Sequence, residues 1–178
     1  HFQIDSDEFA DVAPGESTED GHVWVESVSD WQTDFAHAVL DAGASMYLGH
    51  GHRAFDGVEV YDGKPLLRQL GGLAYQGLNP QVGGYEEHRP WEGLVAELIV
   101  RHGRVERIDF VPLNLDEGEN YRSDYEDLEF LSRRGLAELA TGPLTSSILS
   151  RFRDLSAVYG TELTITDTRA TLEIARPN

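Results

Sequence analysis

At 178 residues with 40% hydrophobic content, the chain is long enough for one domain with a sizeable core. Its formal net charge of −18 makes nucleic-acid backbones and anionic membrane surfaces poor partners, because phosphate binding draws on Lys and Arg. The lack of cysteine excludes disulfides, thiolate metal sites and thiol catalysis, and no apolar run approaches the roughly 20 residues that a spanning helix requires.

In chain order, residues 5–21 are acidic, punctuated by Pro14 and Gly15, and without period, which predicts a surface loop. A strand is expected over 23–28, with His22 as an exposed loop residue at its mouth. Ser29 followed by Gln32 is a capping-box pattern. Trp31, Phe35, Ala38, Val39 and Ala42 then recur at helical spacing, so an amphipathic helix is expected to bury that set and end at Gly43. Asp30, Asp34, His37 and Asp41 fall on the opposite face, which makes His37 a surface residue.

A short apolar strand follows over 44–48. Residues 58–61, the Asp62-Gly63 pair and residues 65–67 predict a hairpin, since Asp-Gly tolerates the positive φ angles of a two-residue turn. A third short strand is expected over 73–75. Residues 77–93, rich in Gly, Pro and polar side chains, predict a lid or binding loop in which His88, Arg89 and Trp91 could touch substrate. Strands over 94–100 and 105–113 come next, then helices over 124–134 and 146–158, the second with Ile148, Leu149, Phe152 and Leu155 inward. A hairpin over 162–166 and 170–175 ends the chain, and the whole is α/β in class, an α+β sandwich.

Chemistry concentrates at Gly49-His50-Gly51-His52, where the imidazoles arrive at the end of a predicted strand. Ligands collect outside the carboxyl ends of strands in open α/β sheets, and imidazole is a common metal ligand, so His50 is the leading metal candidate. The flanking glycines would let a metal or phosphate approach the backbone closely.

Several segments, in order, resemble the CapA-like proteins of poly-γ-glutamate capsule synthesis, a family similar in fold to the calcineurin-like metallophosphoesterases. They are Ala36-His37-Ala38-Val39-Leu40-Asp41-Ala42-Gly43-Ala44, Gly49-His50-Gly51, Gly57-Val58-Glu59-Val60-Tyr61-Asp62-Gly63-Lys64-Pro65, Leu113-Asn114-Leu115-Asp116-Glu117-Gly118 and Leu155-Ser156-Ala157-Val158-Tyr159-Gly160-Thr161. The resemblance implies that residues 1–178 are the C-terminal portion of one metallophosphatase-type αββα domain. Nothing before Trp31 resembles the family's upstream ligand motifs, so the other half of the site is expected on a missing N-terminal half of the same protein.

The resemblance also implies one or more divalent ions (Mn, Zn, Fe, Ca or Mg) on His50 and His52, and a phosphoester or a peptide or polyglutamate-type substrate. The reaction would be hydrolysis or, in the alternative, epimerisation of a peptide α-carbon, with His52 and Arg53 in catalytic roles. Gly49 to His52 satisfies the superfamily's Gly-His-x-His. Aligned instead without a gap to Gly-His-x-Pro-His, Arg53 takes the second imidazole position, where a guanidinium cannot ligate a metal but clamps a phosphate or carboxylate. A second departure is Leu67-Arg68-Gln69-Leu70-Gly71-Gly72-Leu73, where the family commonly reads Phe-Tyr-Ser-Leu-Gly-Asn-Phe. Both departures suit a third reading, a non-catalytic capsule or peptide-binding protein.

Overall fold

The computed structural model describes residues 30–50, 54–74, 91–115, 132 and 135–175. Within them run helix α1 (Asp30–Asp41), strands β1 (Tyr47–Leu48), β2 (Val58–Tyr61), β3 (Lys64–Leu67), β4 (Glu92–Arg101), β5 (Arg104–Asn114) and β6 (Glu138–Leu139), helix α2 (Gly142–Val158), and strands β7 (Thr164–Ile165) and β8 (Ala170–Glu173). The strands form two sheets, one ordered β1-β3-β2 and one ordered β4-β5-β8-β7 with β6 also paired to β5. Two sheets and two helices give a mixed α+β sandwich, the expected class.

Local sequence explains the two tight hairpins. Asp62 and Gly63 have φ of 47° and 69°, the left-handed pair that a two-residue turn needs to match strand twist. They close β2 on β3 with Tyr61 opposite Lys64. His102 and Gly103, with φ of 52° and 74°, repeat the device between β4 and β5, where Arg101 faces Arg104.

Strand alternation then sorts the side chains. Leu66 of β3 packs with Ala36 and Leu40 of α1, whereas its neighbour Leu67 joins the main core with Val58, Ile108, Phe110, Ile148 and Phe152. The first sheet is thus covered by α1 on one side and meets the larger sheet and α2 on the other. Phe152 holds the centre, 4.6 Å between centroids from Phe110 and edge-on to Phe55.

Several expectations need correction. Helix α1 is turned about its axis relative to the predicted face: Gln32, Ala36 and Leu40 are buried, while Trp31 and Phe35 are each 45% exposed. Small Ala36 lets the helix sit close on Leu66, and Phe35 instead packs at the rim, edge-on to Tyr47. His37 is half-buried rather than a surface residue. The strand over 44–48 shortens to β1, and Leu73 lies in no strand, with isolated bridges at Leu70, Gly71 and Ala74 in its vicinity.

The predicted lid over 77–93 gives way to structure at its end: Glu92 opens β4, and Trp91 is buried with Leu113 and Leu115. Helix α2 starts four residues early, with Pro143 in its first turn, where a missing N–H costs nothing. The predicted strand over 23–28, the loop over 5–21 and the helix over 124–134, Ser132 apart, lie outside the described residues.

The start of β2 docks on the end of α2. Val58 N–H donates to Ser156 Oγ at 3.1 Å, and a Cβ at Gly57 would stand 2.5 Å from the carbonyl carbon and oxygen of Leu155. Backbone cannot give way as a flexible side chain can. Gly57→Ala is therefore expected to destabilise the fold by about 1–3 kcal/mol, the usual range for overpacking, read as a lower denaturant midpoint with an unchanged slope; an unchanged midpoint would show that β2 and α2 are not held in this contact.

Candidate functional site

Strand β1 lies parallel to β3, with Tyr47 opposite Leu66 and Leu48 opposite Leu67. The chain leaves both strands at the same end, which brings Gly49 and His50 beside Arg68 and Gln69. Gly49 N–H donates to Leu67 O at 2.8 Å. A Cβ on Gly49 would meet Arg68 O at 2.5 Å, so this glycine admits the neighbouring strand exit rather than a ligand. That corrects the expected reason for it.

A small pocket opens there. Helix α1 contributes Gln32 and Ala36, the end of β1 contributes Tyr47, Gly49 and His50, and the end of β3 contributes Arg68 and Gln69. Its volume is about 20 Å³, room for a water-sized group. His50 is exposed at the rim. A larger cavity of about 280 Å³ lies at the far end of the same sheet, near Lys64 and Arg104. Lys64 there is committed to the C-terminal end of α1, its Nζ 2.5 Å from Leu40 O, as a cation at a helix C-terminus should be.

Arg68 organises the pocket's floor. Only 3% of its side chain is exposed. Its Nη2 donates to Glu59 Oε2 at 2.6 Å and to Thr33 Oγ1 at 3.2 Å, and its guanidinium carbon lies 4.1 Å from the centre of the Tyr159 ring, a cation–π contact. Glu59 Oε1 accepts from His37 Nε2 at 2.8 Å, and the His37 ring stacks on Tyr61 at 3.8 Å. Tyr159 donates to Asp56 Oδ2 at 2.9 Å. Burial, then the Asp56 charge, pushes the Tyr159 hydroxyl well above its usual range, with Arg68 opposing, so it serves as a fixed donor.

This network leaves a remainder. Arg68 Nε and Nη1, Gln32 Oε1 and Gln69 Oε1 are buried and have no hydrogen-bond partner in the protein. Donors and acceptors both stand unmatched around one small pocket, each at a cost of about 1–3 kcal/mol when nothing completes it.

Of the residues singled out from sequence, His50 lies at this pocket and Trp91 lies in the core. His52, Arg53, His88 and Arg89 lie outside the described residues. Among the described residues no three His, Asp or Glu side chains are grouped so as to hold a metal. Sequence reasoning missed Gln32, Glu59 and Arg68 as a unit. One signal was present: Arg68-Gln69 places two polar residues directly after the apolar run of β3.

The fold and pocket define an α+β sandwich with a buried cation beside an exposed imidazole at parallel strand ends. No family model matches the chain. It is similar to an uncharacterized protein of Sinorhizobium fredii, with 29% identity over 170 residues that cover 81% of the chain and 37% of that protein. It is also similar to a probable polyglutamine synthesis accessory protein of Mycobacterium tuberculosis, with 28% identity over 130 residues that cover 68% of the chain and 33% of that protein. The chain thus spans about a third of the length of these relatives.

The Glu59–Arg68 pair predicts a measurable dependence. Glu59→Gln removes the counter-charge from a guanidinium that cannot lose its proton, and breaking one side of a buried pair typically costs about 3–5 kcal/mol. Chemical denaturation should show a loss in that range; a change near zero would mean that solvent, not Glu59, neutralises Arg68.

Proposed function

We propose that this chain forms part of a metal-dependent protein acting on a peptide or polyglutamate-type substrate. His50 is the metal ligand of this reading, and His52 the second donor. The observation that carries it is the position of His50, exposed at the carboxyl end of β1 in a parallel strand pair and lining one pocket with a buried guanidinium. Strand ends of this kind are where α/β folds place their ligands. The likeness to a polyglutamine synthesis accessory protein supports the substrate class.

The described residues do not by themselves make up a metal site, for His50 is the one His, Asp or Glu side chain among those that line the pocket. What they do provide is substrate-holding chemistry. A rigid guanidinium fixed by Glu59, Thr33 and Tyr159 loses little freedom when it binds a further acceptor, which is the advantage of preorganisation. That same chemistry supports a second reading, a peptide-binding protein without catalysis.

His50→Ala in the whole protein tests the choice. Elemental analysis should show bound metal falling at least about tenfold, the effect expected even from damage to the groups that support ligands, and unchanged metal content would remove His50 from any metal site. Isotopes then separate the reactions. Epimerisation in deuterium oxide leaves deuterium at one α-carbon, whereas phosphoester hydrolysis in labelled water leaves solvent oxygen on the released phosphate. Neither mark, with substrate still bound, would favour the binding protein.

A further inference from the structure

The pocket between α1 and the ends of β1 and β3 presents a hydrogen-bonding pattern that says what can occupy it. Arg68 Nε and Nη1 together carry three N–H groups, which only donate, and Gln32 Oε1 and Gln69 Oε1 only accept. An occupant has to offer both functions. A carboxylate offers acceptors alone, and would stand against two amide oxygens.

Charge points the same way. Arg68 is already paired with Glu59 at 2.6 Å, so the guanidinium is not an uncompensated cation seeking an anion. A water molecule matches the pattern, and so does one common organic group, the primary carboxamide, whose oxygen accepts from Arg68 while its two N–H groups donate to the two glutamine oxygens. The scale fits as well, since the space admits about one water-sized group and opens beside exposed His50. A ligand that reproduces the hydrogen bonds of the water it displaces binds without that loss.

We propose that Arg68, Gln32 and Gln69 form a recognition subsite for a neutral primary carboxamide, as on a glutamine side chain, and select it over the isosteric carboxylate. The inference rests on the proposed function in taking the substrate to be a peptide or polymer that carries such side chains. It makes amidation state the property that the pocket reads. Arg68 and Gln69 belong to the segment in which this chain departs from the Tyr-Ser of the family it resembles, so the subsite is a feature of this sequence.

The isosteric pair N-acetyl-glutamine methylamide and N-acetyl-glutamate methylamide tests it on the full chain, by ligand-observed NMR titration at neutral pH. The glutamine compound should bind at least about tenfold tighter, a modest value for matched against mismatched polar groups. Gln32→Leu and Gln69→Leu each remove one acceptor and leave Arg68 with Glu59. In either variant, shown to be folded by its thermal melt, the preference should fall at least about threefold. Arg68→Lys serves as a further variant that keeps the charge and loses the fork, and it should weaken the glutamine compound.

Equal or tighter binding of the glutamate compound overturns the proposal in favour of an anion site. Binding of neither compound at about 50 mM, beyond the weakest affinities of interest, overturns it in favour of a pocket that holds water only. A preference that survives both leucine variants places the selectivity elsewhere and overturns it too. Metal loss in His50→Ala is read independently, so the subsite can fail while the metal reading stands, and the reverse.

Discussion

The buried ion pair between Arg68 and Glu59 is the constraint on which the arrangement around the pocket depends. A guanidinium that is almost wholly removed from water is tolerated only if its charge is matched and its donors are used. Glu59 comes from β2, Thr33 from α1, and Tyr159 from the residue that follows α2. One side chain at the end of β3 is thereby tied to three other elements. Tyr159 passes the linkage on to Asp56, whose other oxygen accepts from Gly57 N–H at 2.6 Å.

This polar tie meets an apolar one at the same place. Gly57 brings β2 against the backbone of α2, and Ser156 bridges the two by accepting from Val58 N–H while it donates to Phe152 O at 2.7 Å. The helix end, the sheet and the pocket floor are thus located by contacts that tolerate little displacement. A pocket of water-sized dimensions needs that precision, because a shift of a few tenths of an ångström is a large fraction of its width.

Much of the fold was legible because local chemistry and hydrophobic period agree there. Asp62-Gly63 declared its hairpin, and the long strands β4 and β5 declared themselves by length and composition. Helix α1 was legible in extent but not in orientation. Its aromatic residues, Trp31 and Phe35, read as the core face by hydrophobicity, yet close approach to Leu66 selects Ala36 and Leu40, a choice made by the shape of the partner surface and absent from the helix's own sequence. Trp91 misled in the opposite sense, since a Gly- and Pro-rich context reads as a loop while the side chain packs on Leu113 and Leu115.

The site was legible at its rim and hidden at its floor. His50 stood out because imidazole between glycines at a strand end is a local pattern. Arg68, Glu59, Gln32 and Tyr159 are spread over more than 120 positions and meet only through the parallel pairing of β1 with β3 and the docking of α2. No spacing rule connects them. What did show in sequence was a departure, Arg68-Gln69 in place of the family's less polar pair, and the fold turns that departure into the pocket's defining donors and acceptors.

The overall charge sharpens the question of substrate. A chain of formal charge −18 repels a free polyglutamate, whose every residue carries a carboxylate, and at physiological salt that repulsion acts over about 8 Å. Two physical routes lead past it. A bound divalent ion supplies positive charge at the point of contact, which is the part given to His50. A substrate whose carboxylates are converted to amides removes the repulsion at its source, and it exchanges a charge that Glu59 and the acidic surface oppose for hydrogen bonds that Arg68, Gln32 and Gln69 are free to make. The first route places the cost on acquiring a metal, the second on the chemistry that prepares the substrate. The buried atoms at the pocket floor match the second.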